Sequence, residues 1–208
     1  MKLVTILVTR SKACHVKTLH SVLKLNMRCI QNDIKNEIVY IDDDPFKKAE
    51  MVQYCMKLYD RIFFIDFGVG VDDISLDECI GKHEHIGCLV FPGVKEGIDW
   101  EMFKNKVNEN VDEPYSQMGL NFDTEVGKKV DTNIYHVTRT NARAWIMNTK
   151  NVLKSLHKNK DYKVSPKMFE KFVQQGVKLY AFTASKLTIA YTHECISSIL
   201  NAAGVKVN

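Results

Sequence analysis

The sequence predicts an α/β fold, a mostly parallel central sheet flanked by helices with a smaller C-terminal region, and three observations carry that expectation. The first is the stretch Tyr59–Asp73, in which the run Arg61–Ile65 holds four β-branched or aromatic residues and ends abruptly on Asp66, Gly68 and Gly70. Such a run is too short for a helix and lacks the alternation of a strand wetted on one face, so both of its faces must be covered. The second is rhythm: strand and helix patterns alternate four times between Leu3 and Phe91, as parallel strands joined by right-handed crossovers require. The third is that the predicted strands end on polar residues, Thr9 and Arg10, then Asp42, Asp43 and Asp44, then Asp66. That topology lines them up along one edge, and ligands of open parallel sheets bind outside the carboxyl ends of the strands.

Leu3–Val8 reads as a buried strand, followed by the turn Thr9-Arg10-Ser11-Lys12. Val16, Leu19, Leu23, Met27 and Ile30 then recur at helical spacing and are expected to face the core, with Lys17, His20 and Lys24 outward. Glu37–Ile41 is the second strand, and Pro45 is suited to the first turn of a helix that buries Ala49, Val52, Met56 and Tyr59. After the central run, Gly68 and Gly70 would let backbone approach a ligand beside Asp66. A short helix around Leu76–Ile80 leads to the strand Ile86–Phe91, which Pro92-Gly93 stops. From Val94 to Arg143 the periodicity fades and a long irregular segment is expected. Order returns with Ala144–Met147 and a helix from Asn148 or Thr149. Ser165-Pro166 is placed to start another helix, with Met168, Phe169, Phe172 and Val173 inward and Gly176 at its end. Two strands, Val177–Phe182 and Leu187–Tyr191, precede Thr192-His193-Glu194-Cys195 and a closing helix.

The 208 residues carry no Pro/Gly/Ser-rich linker, so one domain, 1–208, is expected. Charged residues at 26% and hydrophobic residues at 45% are ordinary for a globular protein. No segment approaches the roughly 18 apolar residues of a membrane span. Met1–Val8 is closed by Arg10 and Lys12 too early for a secretory leader. The six cysteines (Cys14, Cys29, Cys55, Cys79, Cys88, Cys195) form no Cys-x-x-Cys pair and read as reduced core thiols, which implies a reducing compartment, the cytoplasm. A net charge of +4, evenly spread, argues against nucleic acid and is compatible with a small anionic ligand. Val8-Thr9-Arg10-Ser11 has no glycine, which excludes the dinucleotide fingerprint and the glycine-rich first loop of sugar-nucleotide nucleotidyltransferases. No phosphate loop of the Gly-x-x-x-x-Gly-Lys type occurs either.

What these strand ends resemble is the GT-A type of glycosyltransferase, over most of the chain, and among them those that build chlorella-virus capsid glycans. Val4–Ser11 looks like the family's first strand and its Thr-Arg turn, Ile41-Asp42-Asp43-Asp44 like the acidic end of its second strand, and Asp66-Phe67-Gly68 falls where the family has Asp-x-Asp. The resemblance implies a UDP-sugar donor contacted by Thr9, Arg10, Asp42, Asp43, Asp44, Asp66, Phe67 and Gly68. It also implies a divalent ion, Mn²⁺ or Mg²⁺, on Asp66 and His193, and a hexose or deoxyhexose passed to a glycan acceptor. Residues 1–93 would form the nucleotide-binding half and 94–208 the acceptor-side half, with the host cytoplasm as the location of a viral chain. Two departures stand out: Gly68 replaces the second acid of Asp-x-Asp, and Ser165-Pro166-Lys167 offers no carboxylate where inverting members often carry their base. Retention of the donor's configuration is therefore expected, with Asp123 or Glu125 as the residues that could assist the acceptor hydroxyl. Arg10, Lys95, Lys128, Lys129, Arg139 and Arg143 are candidate phosphate or acceptor contacts. A non-catalytic module that only binds nucleotide-sugar or glycan is the alternative that Gly68 leaves open.

Overall fold

The structure is a computed structural model that describes residues 1–83, 85–95, 97–115, 117–156 and 163–190. The elements in chain order are β1 (Lys2–Thr9), α1 (Val16–Gln31), β2 (Lys35–Asp42), α2 (Pro45–Cys55), β3 (Arg61–Ile65), β4 (Val69–Gly70), α3 (Asp73–Ile80) and β5 (Cys88–Phe91). They continue with α4 (Trp100–Asn108), β6 (Thr124–Asp131), β7 (Ile134–Thr140), β8 (Ala144–Asn148), α5 (Thr149–Leu156), α6 (Met168–Gln174), β9 (Leu179–Phe182) and β10 (Thr188–Ile189). Among the described residues, eight strands form one sheet in the order β2-β1-β3-β8-β5-β9-β7-β6, and β10 pairs with β4 beside it. β2, β1 and β3 are parallel, as are β5 and β9. β8 runs antiparallel between β3 and β5, and the β6–β7 hairpin closes the far edge.

All five residues of β3 are buried, and they alternate between two cores. Ile62 and Phe64 join the layer under α2, α5 and α6, where the Trp145 ring stacks on Phe64 at 5.0 Å and Phe169 meets Trp145 edge-on at 5.8 Å. Phe63 and Ile65 join the layer under α1 and α3, with Leu25, Leu76 and Phe91. A strand covered on both faces accepts a polar side chain only where a partner is supplied, as at its first residue, Arg61, whose guanidinium donates to the Cys79 carbonyl at 3.0 Å, and the four residues after it are apolar without a break. The carboxyl ends of β1, β2 and β3 open on one edge, so Thr9, Asp42 and Asp66 become neighbours.

Three expectations are corrected. Helix α1 is rotated: Thr18, Ser21, Val22, Leu25 and Cys29 are buried, whereas Val16, Leu19, Leu23, Met27 and Ile30 lie outward, at 53% exposure for Leu23 and 62% for Met27. The rotation is set by polar partners. Ser21 Oγ accepts from the Val71 N–H at 2.8 Å, Lys24 pairs with Asp73 at 2.9 Å, and Arg28 pairs with Asp73 at 2.6 Å and Asp77 at 2.7 Å. Small residues on that side also let the helix approach β4, where a Cβ on Gly70 would stand 3.4 Å from the Lys17 Cβ. The segment 94–143 is not irregular, since it contains α4, β6 and β7. α4 buries no residue and β6 buries only Thr124, so neither carries a strong hydrophobic period. The helix expected from Ser165-Pro166 starts at Met168, with no side-chain cap from Lys167. The closing helix, and His193 with it, lies outside the described residues. No helix among the described residues is long and apolar enough to cross a membrane.

The outward stripe of α1 makes a direct prediction. Replacing Leu23 and Met27 together by Gln should change the urea-unfolding free energy by no more than about 1 kcal/mol in total, as at ordinary surface sites. Leu25→Ala, on the buried side, should cost roughly 2–5 kcal/mol. The reverse ranking would return the stripe to the core.

Candidate functional site

The site is built where β1, β2, β3 and β8 meet. At the end of β1, Thr9 is buried and its hydroxyl donates to the Ile41 carbonyl at 3.1 Å, which ties the β1 end to β2. The following loop closes on itself, with Arg10 and Ala13 exchanging backbone hydrogen bonds and with Ser11 and Lys12 at φ +49° and +61°. That closure points Arg10 across the edge. Its Nε donates to Asp43 at 2.6 Å, and its guanidinium stands 5.0 Å over the Phe67 ring, which His15 meets edge-on at 5.6 Å.

The three acids after β2 divide. Asp42 is exposed and pairs with Lys47 at 2.8 Å, whose hydrogen bond holds the Asp42 carboxyl below its usual range. Asp44 caps α2, its side chain accepting from the N–H groups of Phe46 at 2.9 Å and Lys47 at 2.8 Å. Asp43 points inward, held by Arg10 and, at 2.5 Å, by Lys48. Burial pushes the Asp43 carboxyl up, but the hydrogen bonds from Lys48 and Arg10 and their charges outweigh it and bring it down overall.

Lys48 is four-fifths buried and also donates to Asp66 Oδ1 at 3.1 Å. The same oxygen accepts from the Phe67 N–H at 3.0 Å, while Asp66 Oδ2 stands 3.7 Å from Arg143 Nε. Arg143, just before β8, is anchored twice: its carbonyl accepts from the Asp66 N–H at 2.8 Å and its Nη2 donates to the Phe67 carbonyl at 2.9 Å. The result is a row of alternating charge along the edge, Arg10, Asp43, Lys48, Asp66, Arg143. A groove of about 590 Å³ lies at one end, lined by Thr9, Tyr40, Asp42 and Tyr54. A pocket of about 230 Å³ lies beside Lys48 and Asp66, lined by Phe64, Trp145, Asn141 and Ser165.

Beyond Arg143, Asp123 is fixed against the end of β5. Its N–H donates to the Gly93 carbonyl at 2.9 Å, and its Oδ1 accepts from the Gly93 N–H at 3.1 Å and from Thr124 Oγ1 at 2.7 Å. Oδ2 is buried with no hydrogen-bond partner among the described residues, where it converges on Gly93 with the side-chain tips of Ile189 and Leu187. Burial pushes the Asp123 carboxyl above the ordinary range, against the hydrogen bonds from Gly93 and Thr124 and the charges of Arg143 and Lys95. Glu125 is not brought to this place; it is exposed on the β6–β7 hairpin, 3.9 Å from an exposed Arg139. The buried cysteines offer no nucleophile, since burial pushes Cys29 and Cys55 up to about 11 and Cys79 and Cys88 well up.

No family model matches the sequence, and no curated protein matches it. Among solved structures, the chain is similar to A197 from STIV at a TM-score of 0.54 and 10% identity, over 92% of this chain and 86% of that one. The two share an α/β fold with a large central sheet flanked by helices. The inositol-1-phosphate CTP transferase from T. maritima matches at 0.48 and 12% identity, over 99% and 98% of the two chains. The galactosyltransferase LgtC, solved with donor and acceptor sugar analogs, matches at 0.36 and 12% identity, over 87% and 73%.

The resemblance read from the strand ends implies a divalent ion near Asp66, and the residues described there do not fit a resident one. Asp66 Oδ1 already accepts two hydrogen bonds, Oδ2 alone is left and faces Arg143 at 3.7 Å, and no group of three or more His, Cys, Asp or Glu able to hold a metal occurs among the described residues. Gly68 supplies no ligand: it holds φ +77°, and a Cβ there would stand 3.1 Å from the Ala190 carbonyl oxygen. A divalent ion about 4 Å from the Lys48 ammonium would also be repelled by roughly 8 kcal/mol at an effective dielectric of 20, before any compensation by a bound anion. Lys48 is the site residue that sequence reasoning missed. The available signal was its place in the first turn of a helix capped by Asp44, directly after the acidic strand end.

Removing Lys48 should leave two carboxylates face to face. Lys48→Met is expected to lose roughly 1–3 kcal/mol of stability near pH 7 by urea unfolding. The Asp43 carboxyl is depressed in the folded state, so its contribution is present above the ordinary carboxylate value of about 3.9 and is lost as pH falls through the folded one. The gap between wild type and Lys48→Met should therefore narrow on acidification. A constant gap down to about pH 3 would mean that the row does not stabilise the fold as ion pairs.

Proposed function

We propose that the chain is a glycosyltransferase that moves a hexose or deoxyhexose from a UDP-sugar to a glycan acceptor in the cytoplasm, which for a viral chain is that of the host. The observation that carries this reading is the row of three cations held by two acids at the carboxyl edge of the sheet, with Asp123 set beyond it. Residues 1–93 take the nucleotide: the base and ribose lie in the groove between Thr9, Asp42 and the two tyrosines, and the diphosphate reaches the row over Phe67. The donor sugar enters the smaller pocket, whose aromatic floor of Phe64 and Trp145 and polar rim of Asn141, Ser165 and Asp66 suit a pyranose ring. Residues 94–208 supply the acceptor side. The closed, side-chain-bearing loop Arg10–Ala13 favours sugar transfer over nucleotidyl transfer, which would want an open glycine-rich cradle there.

Breaking the bond between sugar and diphosphate moves negative charge onto the departing UDP, and fixed cations aimed at that charge stabilise the transition state. The Mn²⁺ or Mg²⁺ expected on Asp66 and His193 finds only Asp66 among the described residues, so no step is assigned to it. The side of the pocket formed by Ser165 and Pro166 carries no acid, in keeping with retention, in which the leaving phosphate oxygen takes the acceptor proton. A second reading is favoured by Asp123. Its unpartnered Oδ2 and raised carboxyl suit a general base that takes the acceptor proton directly, and a single displacement of that kind inverts the donor configuration. Product anomers read by NMR separate the two.

Release of UDP from a UDP-sugar, with acceptor present, tests the reading as a whole. UDP binding without release would move the chain to the binding-module alternative. In the base reading, Asp123→Asn should lower kcat by about 10²–10⁴ with donor affinity unchanged. The carboxyl is raised, so the rate should climb with pH through an ionisation above the usual carboxylate range and fall below it. A flat profile across that range would remove Asp123 from the chemistry.

A further inference from the structure

We infer that the chain carries its own counter-charge for a diphosphate, with Lys48 standing where a divalent ion is expected, so that nucleotide binding needs no metal; the inference rests on the nucleotide reading above. The acids of the row are spent on orientation. Asp43 holds Arg10 at 2.6 Å and Lys48 at 2.5 Å, and Asp66 holds Lys48 at 3.1 Å and faces Arg143 at 3.7 Å. Asp66 Oδ1 already accepts from Lys48 and from the Phe67 N–H, which leaves only Oδ2, 3.7 Å from the Arg143 Nε, to face a ligand, and an ion there would stand among the same three cations.

The cations, by contrast, keep donors to spare. An ammonium has three N–H groups, and Lys48 gives two of its three to carboxylates. A guanidinium has five; Arg10 gives its Nε to Asp43, and Arg143 gives one of its own to the Phe67 carbonyl. All three groups are tethered around one residue pair. Arg10 lies over the Phe67 ring, Arg143 holds the Phe67 backbone, and Lys48 holds Asp66. A diphosphate laid across Phe67 thus meets three cations whose directions are set before it arrives. They come from three separate places, the residue after β1, the start of α2 and the residue before β8. Planar guanidinium forks on either side of a compact ammonium match the tetrahedral oxygens of two adjacent phosphoryl groups. The expected roles are reversed: the carboxylates position, and the side-chain cations bind.

The test is isothermal titration of the full chain with UDP, in EDTA and in Mn²⁺, for wild type, Lys48→Met and Arg143→Met, with melting curves to confirm folding. Wild type should bind UDP in EDTA with a Kd within about threefold of its Mn²⁺ value, and each variant should bind about tenfold or more weakly in EDTA. Arg143→Met removes a cation without leaving Asp43 and Asp66 face to face, so it answers the question if Lys48→Met does not fold. UDP binding by wild type only when Mn²⁺ is present, or variants that bind as tightly as wild type in EDTA, would overturn the inference while leaving the nucleotide reading in place. A folded wild type that binds no UDP in either condition removes the nucleotide reading itself.

Discussion

The ammonium of Lys48, lodged between the carboxylates of Asp43 and Asp66, is the contact on which the crevice depends. The strand order β2-β1-β3 brings the acidic ends of two strands to either side of β1, and without a cation between them those ends would repel. Lys48 reaches that point because α2 begins where it does. Asp44 caps the helix, Pro45 occupies its first position, and one turn later the lysine side chain lies over the sheet edge. Three consecutive acids thus serve three ends: Asp42 pairs at the surface, Asp43 joins the row and Asp44 starts a helix.

Asp123 shows the opposite economy. A buried carboxylate oxygen without a partner typically costs about 1–3 kcal/mol, and native structures keep few of them. Here the residue is held by three backbone contacts and the Thr124 hydroxyl, with Oδ2 left without a partner among the described residues. Glu125, by contrast, is exposed beside an exposed Arg139 and bears no such constraint.

The elements most legible in the sequence were those whose partners hardly matter. β3 spans Arg61–Ile65 as expected, because a strand buried on both faces reads as an apolar run, here Ile62–Ile65, whatever it packs against. The acids at strand ends were legible too, since topology alone brings them to one edge. What was missed depends on distant partners. The rotation of α1 is decided by Val71, Asp73 and Asp77, some fifty residues away, so a stripe of five apolar residues with perfect helical spacing ended up facing outward. The β6–β7 hairpin has almost no buried side and therefore almost no hydrophobic pattern to find. Lys48 looked like any helix-surface lysine, because nothing within a few residues of it announces Asp66.

Gly68 gives the loss of the second acid a different character from a substitution. Its backbone is in the left-handed region, where an ordinary residue pays roughly 1–2 kcal/mol. The Ala190 carbonyl oxygen crowds the position a Cβ would take, at 3.1 Å, while the Ala190 N–H is itself bonded to the Gly68 carbonyl at 2.8 Å. An aspartate introduced at 68 would have to hold a positive φ and push the Ala190 carbonyl oxygen back by a few tenths of an ångström. The departure from Asp-x-Asp is thus written into the path of the main chain as well as into the side chain.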